Sequence, residues 1–277
     1  MIEIPEAYIL SKQINETLAG KTITAVLAAS SPHKFAWYEG DPAKYDAHLL
    51  KKTINSAQGY GMFVEISLSH STLLFCDGVN LRLHPAAGPA PKKHQLLLGL
   101  NDQTSISASI SMYGGIYCWV EGDEFNNFYY DTARSKPSPL SDEFDENYFQ
   151  QILSAEDVQK SSLKAALATK QRIPGFGNGC LQDVLWKANL HPKRKTNTLS
   201  DAEIHQLYTS LKTTLAEMAH LGGRNTEKDL FGQPGGYPVV MSAANKEKPC
   251  PTCGTKIQKE SYMGGSIYVC ETCQPLV

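Results

Sequence analysis

The 277-residue chain has no apolar run approaching the ~20 residues of a membrane span. Its first ten residues carry two acids, and no basic segment precedes an apolar one. The expectation is therefore no transmembrane helix, no secretory leader and a cytoplasmic protein. Charge is also modest, at 19% of residues, with 26 Lys and Arg against 28 Asp and Glu. With 42% hydrophobic residues, this is the make-up of an ordinary globular protein long enough for two or three units. The near balance conceals an asymmetry. Residues 1–149 hold 11 Lys and Arg against 17 Asp and Glu, a net of −6, whereas residues 150–277 hold 15 against 11, a net of +4. A basic excess at that end fits either a nucleic-acid partner or a solvated surface.

Cysteine is sparse and unevenly placed. Cys76, Cys118 and Cys180 lie singly in apolar surroundings and read as buried, inert thiols. Cys250, Cys253, Cys270 and Cys273 instead form C-x2-C-x16-C-x2-C, in which each pair can present two thiolates to a tetrahedral metal. An odd cysteine total without a secretory leader argues against disulfides. A unit of about 30 residues cannot fold on its own apolar core, so the pattern predicts a ribbon held by one structural zinc ion with no open coordination position. Lys246, Lys248, Lys256 and Lys259 flank it, as phosphate contacts or as plain surface.

From Glu146 to about Gly223 the apolar period becomes helical. Ser200 and Glu203 make a capping box, Ile204, Leu207, Leu211, Leu215 and Met218 share one face, and Gly222–Gly223 ends the helix. Residues 145–153 and 161–170 are predicted helices too. After them, RIPGFG breaks at Pro174, Gly175 and Gly177, and Asn178 precedes another helix that runs to about Asn189. A glycine turn feeding a helix start can expose backbone N–H groups to an anion such as a phosphate, or can simply turn the chain. The run HPKRK that follows fits a solvated loop or a contact.

Residues 5–18 read as one amphipathic helix, with Pro5 in its first turn and Ile9, Leu10, Ile14 and Leu18 inward. Seven strand-like stretches follow: TITAVLAA, MFVEISL, TLLFC, NLRLH, HQLLLGL, SISASISM and IYCWV. They predict a β-sandwich or flattened barrel, ending in a linker near DTARSKPSPLSDE. The expected division is residues 1–130 for helix and sandwich, 131–145 for the linker, 146–245 for the helical unit and 246–277 for the ribbon. The opening MIEIPE places a free amine beside Glu3, a potential nucleophile and proton-transfer group if the terminus is packed into a cleft.

This order resembles the formamidopyrimidine-DNA glycosylase and endonuclease VIII family over nearly the whole chain. The carriers are MIEIPE, RIPGFGNGCLQDVLWKANLHP, GGRNTEKDLFG, and PCPTCGTKI with YVCETCQ. The resemblance implies an α+β fold: a leading helix with a β-sandwich, a helix-two-turn-helix domain and a zinc ribbon. It also implies a monomer that binds damaged duplex DNA, extrudes the damaged nucleotide and attacks its sugar with an N-terminal proline amine. In the family the neighbouring acid assists proton transfer, and a Schiff base leads to strand cleavage.

Carried over by position, Glu3 falls on the family acid, Asn178 on its phosphate-gripping asparagine within the Gly177 turn, and the four cysteines on its zinc ligands. Ile2 stands where the family has proline, so the candidate nucleophile is the amine of Met1, or of Ile2 if Met1 is removed. Tyr60 is nearest to the family's strand lysine, and Gly265 replaces the arginine of its ribbon hairpin. Asp77, Ser111 and Tyr113 lie near the residues that fill the gap left by an extruded base, and only Tyr113 keeps a wedge-like aromatic. The expected DNA contacts are Asn178, Gly177, Lys164, Tyr60, Tyr113, Lys256 and Lys259. Three readings stay open: a glycosylase with lyase activity, a catalytically silent binder of damaged or branched DNA, and a monofunctional glycosylase using Glu3 without a covalent intermediate. GGRNTEKDLFGQPGGYPVV reads as a base-covering loop or as a connector.

Overall fold

A computed structural model describes residues 1–86, 88 and 91–276. Helix α1 (Ile4–Thr17) has Pro5 in its first turn, where a missing N–H would have no partner, while Glu6 Oε2 accepts from the Glu3 N–H at 3.1 Å. The helix lies between two apolar cores. Ala7, Leu10, Ile14 and the preceding Ile2 join the core of the N-terminal sheet, and Ile4 joins that of the helical domain. The chain's start is thus buried on two sides.

After α1 come β1 (Ile23–Ala28), β2 (Ala36–Tyr38), α2 (Tyr45–Leu49), β3 (Ile54–Tyr60), β4 (Phe63–Leu68), β5 (Ser71–His84), β6 (Leu96–Leu100) and β7 (Ser105–Val120). Among the described residues they form one hydrogen-bonded sheet in the order β1-β6-β7-β5-β4-β3, with β2 added parallel to β7. The two long strands are shared by both wings. Ser71–Asp77 pairs with Gly114–Val120, and Val79–His84 pairs with Ser105–Ile110. Leu73, Phe75 and Ile116 of one wing and Leu81, Leu98 and Ile106 of the other fill a single core, so the sheet folds on itself as a sandwich.

The expected strands TLLFC and NLRLH are two halves of β5, and SISASISM and IYCWV are two halves of β7. Asp77-Gly78 and Gly114-Gly115 read as breaks but form a bulge within continuous strands. Asp77 adopts φ +58°, and the register shifts between Asp77 and Val79. Two strands escaped the alternation pattern: β2 has only three residues, and β3 (INSAQGY) buries only Ile54 and Ala57.

Residues 131–145, expected to be a linker, begin inside α3 (Phe128–Ser135). Its Tyr130 and Ala133 are buried against Phe63 and Leu74, a tertiary contact that serine and proline content does not reveal. The helical domain continues with α4 (Glu146–Ser154), α5 (Glu156–Gln159), α6 (Leu163–Ala168), α7 (Asn178–Lys187) and α8 (Asp201–His220). Phe149, Leu163, Leu181, Val184, Leu211 and Leu215 are among its fully covered core residues.

The ribbon is the hairpin β8 (Gln258–Tyr262) and β9 (Gly265–Val269). Its turn lies at Met263–Gly264, one residue before the expected Gly264–Gly265. Both turn residues have positive φ, as a tight two-residue hairpin requires. The hairpin docks on α7, where Gln182 Oε1 accepts from Tyr268 N–H at 2.5 Å.

Domain and sheet meet where Gly61 (φ +58°) touches Gly175 (φ +74°). A Cβ at 175 would lie 2.1 Å from the Gly61 carbonyl carbon. Both the left-handed backbone and the approach require glycine. Gly175→Ala is expected to destabilise the protein by more than about 1 kcal/mol, seen as a lower urea midpoint. An unchanged midpoint would contradict this packing.

Candidate active site at the junction of sandwich and helical domain

The bulge of β5, the first residues of the chain and the start of α7 converge on a cavity of about 440 Å³. Its walls include Met1, Ile2, Glu3, Asp77, Tyr113, Gln171, Gly177 and Asn178. Asp77 positions the terminus, since its carbonyl accepts from Ile2 N–H at 2.7 Å.

Glu3 is 7% exposed, and its carboxylate caps α7, accepting from Gly179 N–H and Cys180 N–H at 2.8 Å each. Arg224 lies 3.2 Å from Glu3 Oε1 and donates to both oxygens of Glu6, at 2.9 and 2.6 Å. It also donates to the Met1 carbonyl at 3.2 Å. Burial disfavours a charged Glu3, but the Arg224 guanidinium and the Cys180 and Gly179 donors outweigh it, holding the carboxyl below its ordinary value. Asp77 is opposite in character: burial pushes its carboxyl up, partly offset by the thiol of Cys76, 3.4 Å away. One carboxyl of the cavity is thus held below its ordinary value and a second is pushed above it.

The glycines of GFGNG act here differently from an open phosphate cradle. A Cβ on Gly177 would lie 2.6 Å from the Glu3 carboxyl carbon, and one on Gly179 would lie 1.6 Å from Arg224 Nη1. The Gly179 and Cys180 N–H groups already bind the chain's own Glu3, so that part of the helix start is not open to an external anion. Burial and the Glu3 charge push the Cys180 thiol well above its ordinary value, in keeping with an inert core thiol.

The Met1 amine is ion-paired with Glu227, and the Tyr113 hydroxyl reaches Met1 Sδ at 3.6 Å. Ile2 is 4% exposed within the sheet core. Asn178 donates to the Ser266 carbonyl at 3.1 Å, which joins the glycine turn to the ribbon hairpin. Asn178 Oδ1 and Gln171 Oε1, both from cavity-wall residues, are buried without a hydrogen-bond partner.

Several expected contacts lie elsewhere. Tyr60 stands outside the cavity, with the Arg134 guanidinium 5.6 Å from its ring centroid. Lys164 is 7% exposed and donates to the Tyr262 carbonyl at 2.9 Å, so it fastens α6 to the ribbon instead of facing solvent. The HPKRK run is largely engaged as well, with Lys193 paired to Glu260 and Arg194 to Glu203. Lys256 and Lys259 are exposed on the ribbon.

The stretch GGRNTEKDLFG, read as a covering loop or a connector, contributes no cavity wall among the described residues and instead buttresses the terminus. Arg224 and Glu227 hold the first residues, Asp229 accepts from Gln13 at 2.8 Å, and Leu230 is fully buried in the sandwich core. Neither Arg224 nor Glu227 could be found from sequence, because their partners lie more than 200 positions away. No local pattern reports such a pairing.

The sulfurs of Cys250, Cys253, Cys270 and Cys273 all lie within 4.8 Å of one another. Tetrahedral coordination with metal–sulfur bonds of ~2.3 Å implies sulfurs about 3.8 Å apart. The Cys250–Cys273 and Cys253–Cys270 separations of 3.8 and 3.3 Å fit a metal ion. Among the described residues no helix is long and apolar enough to cross a membrane.

Comparison with known proteins agrees with this geometry. Residues 136–229 match the formamidopyrimidine-DNA glycosylase H2TH domain. The formamidopyrimidine-DNA glycosylase of Bacillus cereus is 27% identical over the full length of both chains, and that of Bacillus subtilis is 26% identical over 99% of each. The MutM (Fpg) structure from Thermus thermophilus superposes with a TM-score of 0.81 at 24% identity, covering 99% of each chain. Lactococcus lactis Fpg in complex with abasic-site DNA gives 0.80 at 21% identity over 98% of this chain and 99% of that one.

Arg224→Ala would leave two buried carboxylates without their cation and is expected to destabilise the fold by about 3–5 kcal/mol, measurable by urea denaturation. Because the Glu3 carboxyl is depressed in the folded state, its contribution is present above the ordinary glutamate range and lost as pH falls through the folded value. The urea midpoint should therefore fall on acidification below that range, and less steeply in Glu3→Gln. Equal slopes would contradict the assignment.

Proposed function

Because the chain belongs to the formamidopyrimidine-DNA glycosylase family, we propose that it binds damaged DNA and removes an oxidised base, as in base-excision repair. The observation that carries this reading is the convergence of the chain's start, an ionised Glu3 and the Asn178 turn on one 440 Å³ cavity. Its size falls in the range of sites that enclose most of a small ligand. An extruded nucleotide is such a ligand, and its ring N–H and amino groups match the unpartnered acceptors of Gln171 and Asn178. The exposed Lys256 and Lys259, with the Asn178 turn bonded to the same hairpin, supply the phosphate-facing side.

The arrangement favours a hydrolytic route. Glu3 accepts a proton from water as the water oxygen bonds to the sugar C1′. The C1′–N bond breaks, and its electron pair leaves with the base. Asp77, whose carboxyl burial pushes above its ordinary value, lines the same cavity and is placed to donate a proton to that departing base. The Met1 amine is a poor candidate nucleophile: it is displaced by one residue from the position of the family's proline amine and is held by Glu227. Glu3→Gln is expected to lower base release from oxidised duplex DNA by about 100-fold or more, and borohydride should trap no adduct on abasic DNA. A trapped adduct mapping to the N-terminal residue would overturn the hydrolytic assignment in favour of lyase chemistry.

The four cysteines suit one zinc ion with a structural role, cross-linking the ribbon's two knuckles and leaving no position open for catalysis. Metal analysis should find one zinc per chain. Removal by a chelator should abolish duplex binding and expose the four thiols to a titrating reagent, and a metal-free protein with intact binding would refute this. The protein is read as a cytoplasmic monomer.

A further inference from the structure

Beside the cavity, four large side chains share one edge of the sandwich. Phe35, Trp37 and Met112 are 49%, 45% and 63% exposed, and the Trp37 ring lies 5.7 Å from that of Tyr113, which itself lines the cavity. This edge is rigidly built. Strand β2 carries Trp37 and runs along Gly114–Ile116, and the Phe35 carbonyl accepts from Gly114 N–H at 3.1 Å. The buried Tyr45 hydroxyl bonds to the carbonyls of Glu39 and Ile116 at 3.0 and 2.9 Å, pinning the strap from below.

Cations gather at one end of this edge, before Phe35, while the exposed acids Glu39 and Asp41 follow Trp37 at the other. Lys34 lies over the Phe35 ring at 5.3 Å. The segment PKKHQ is tied to residues 30–31 by Ser30 to the His94 carbonyl, His94 N–H to Ser31, and Gln95 to the Ser31 carbonyl, at 2.9, 3.2 and 2.9 Å. Exposed Lys92 and Lys93 therefore stand at the root of the same strap as Lys34.

Exposed aromatic faces interleaved with cations are the chemistry that holds unstacked bases, the rings taking the base and the cations its phosphates. We propose that Phe35 and Trp37, continuing from Tyr113, form a stacking platform for an unpaired nucleobase of the bound DNA. The platform directs the protein toward lesions in duplexes that are bulged, branched or otherwise locally unpaired. The proposal rests on the damaged-DNA reading and adds a preference for DNA structure. A fixed platform favours this use, because little side-chain freedom is lost when a base settles on it.

The test uses the full-length, metal-loaded protein and two duplexes of equal length, each carrying one stable abasic-site analogue, one otherwise fully paired and one with a 2-aminopurine in a two-base bulge beside the analogue. Wild-type protein should bind the bulged duplex more tightly and quench its 2-aminopurine fluorescence. Phe35→Ala/Trp37→Ala should lose about tenfold of that preference and most of the quenching, with an unchanged dependence on salt, because no phosphate contact is removed. Trp37→Phe should retain both, and thermal melts should show that all variants remain folded. Equal preference and quenching in the double variant would overturn the platform. So would a wild-type dimer in sedimentation that the double variant converts to monomer with no change in DNA binding, since the patch would then cover a second copy. Wild-type protein that binds neither duplex would sink the damaged-DNA reading itself.

Discussion

The structure depends on the buried ion cluster in which Arg224 holds Glu3 and Glu6 while Glu3 caps α7. Two carboxylates and one guanidinium leave a net negative charge, an arrangement that burial alone would oppose. It persists because the α7 backbone N–H groups complete the Glu3 shell and the helix dipole favours an anion at that end. One cluster therefore joins three separate parts: the start of the chain, the helix after the glycine turn and the segment after α8. It ties the sandwich to the helical domain beside the cavity, together with the Gly61–Gly175 contact and the burial of α1 in both cores.

This arrangement settles what the glycine turn does. A flexible loop needs glycine for conformational freedom, whereas Gly177 and Gly179 are required because side chains there would occupy the positions of Glu3 and Arg224. A helix start that looks ready for an external phosphate has two of its donors filled from within. Asn178 remains on the cavity wall, tied to the ribbon through Ser266. The ribbon and turn thus face one another, as joint action on one stretch of DNA requires.

The same cluster separates the roles of the terminal residues. Glu3 is ionised and fixed, Ile2 belongs to the core, and the Met1 amine is held at the rim by Glu227. A terminus so anchored does not fray, because its first residues are covered by two domains. The sheet bulge adds Asp77, whose positive φ turns its carbonyl toward Ile2 while its carboxyl lines the cavity.

Much was legible in the sequence because it is encoded locally. The capping box of α8, the apolar face of α1 and the CxxC pairs depend on residues a few positions apart, and each forms where expected. The doubly bent sheet was less legible, because a bulge and a break use the same residues: Asp77-Gly78 ends no strand, although its composition says otherwise. Lys164 appeared to be a surface cation and is a buried fastener, since burial is set by what packs over a residue and not by its type. Arg224, Glu227 and the strap carrying Trp37 were beyond sequence reasoning altogether. Their partners come from distant segments, and only tertiary folding brings charges 218 positions apart to within hydrogen-bond distance. The sequence alone determined the long helices, most of the strand-forming stretches and which sulfurs cluster. The tertiary structure decided which charges are compensated, and so which groups of the cavity remain available for chemistry.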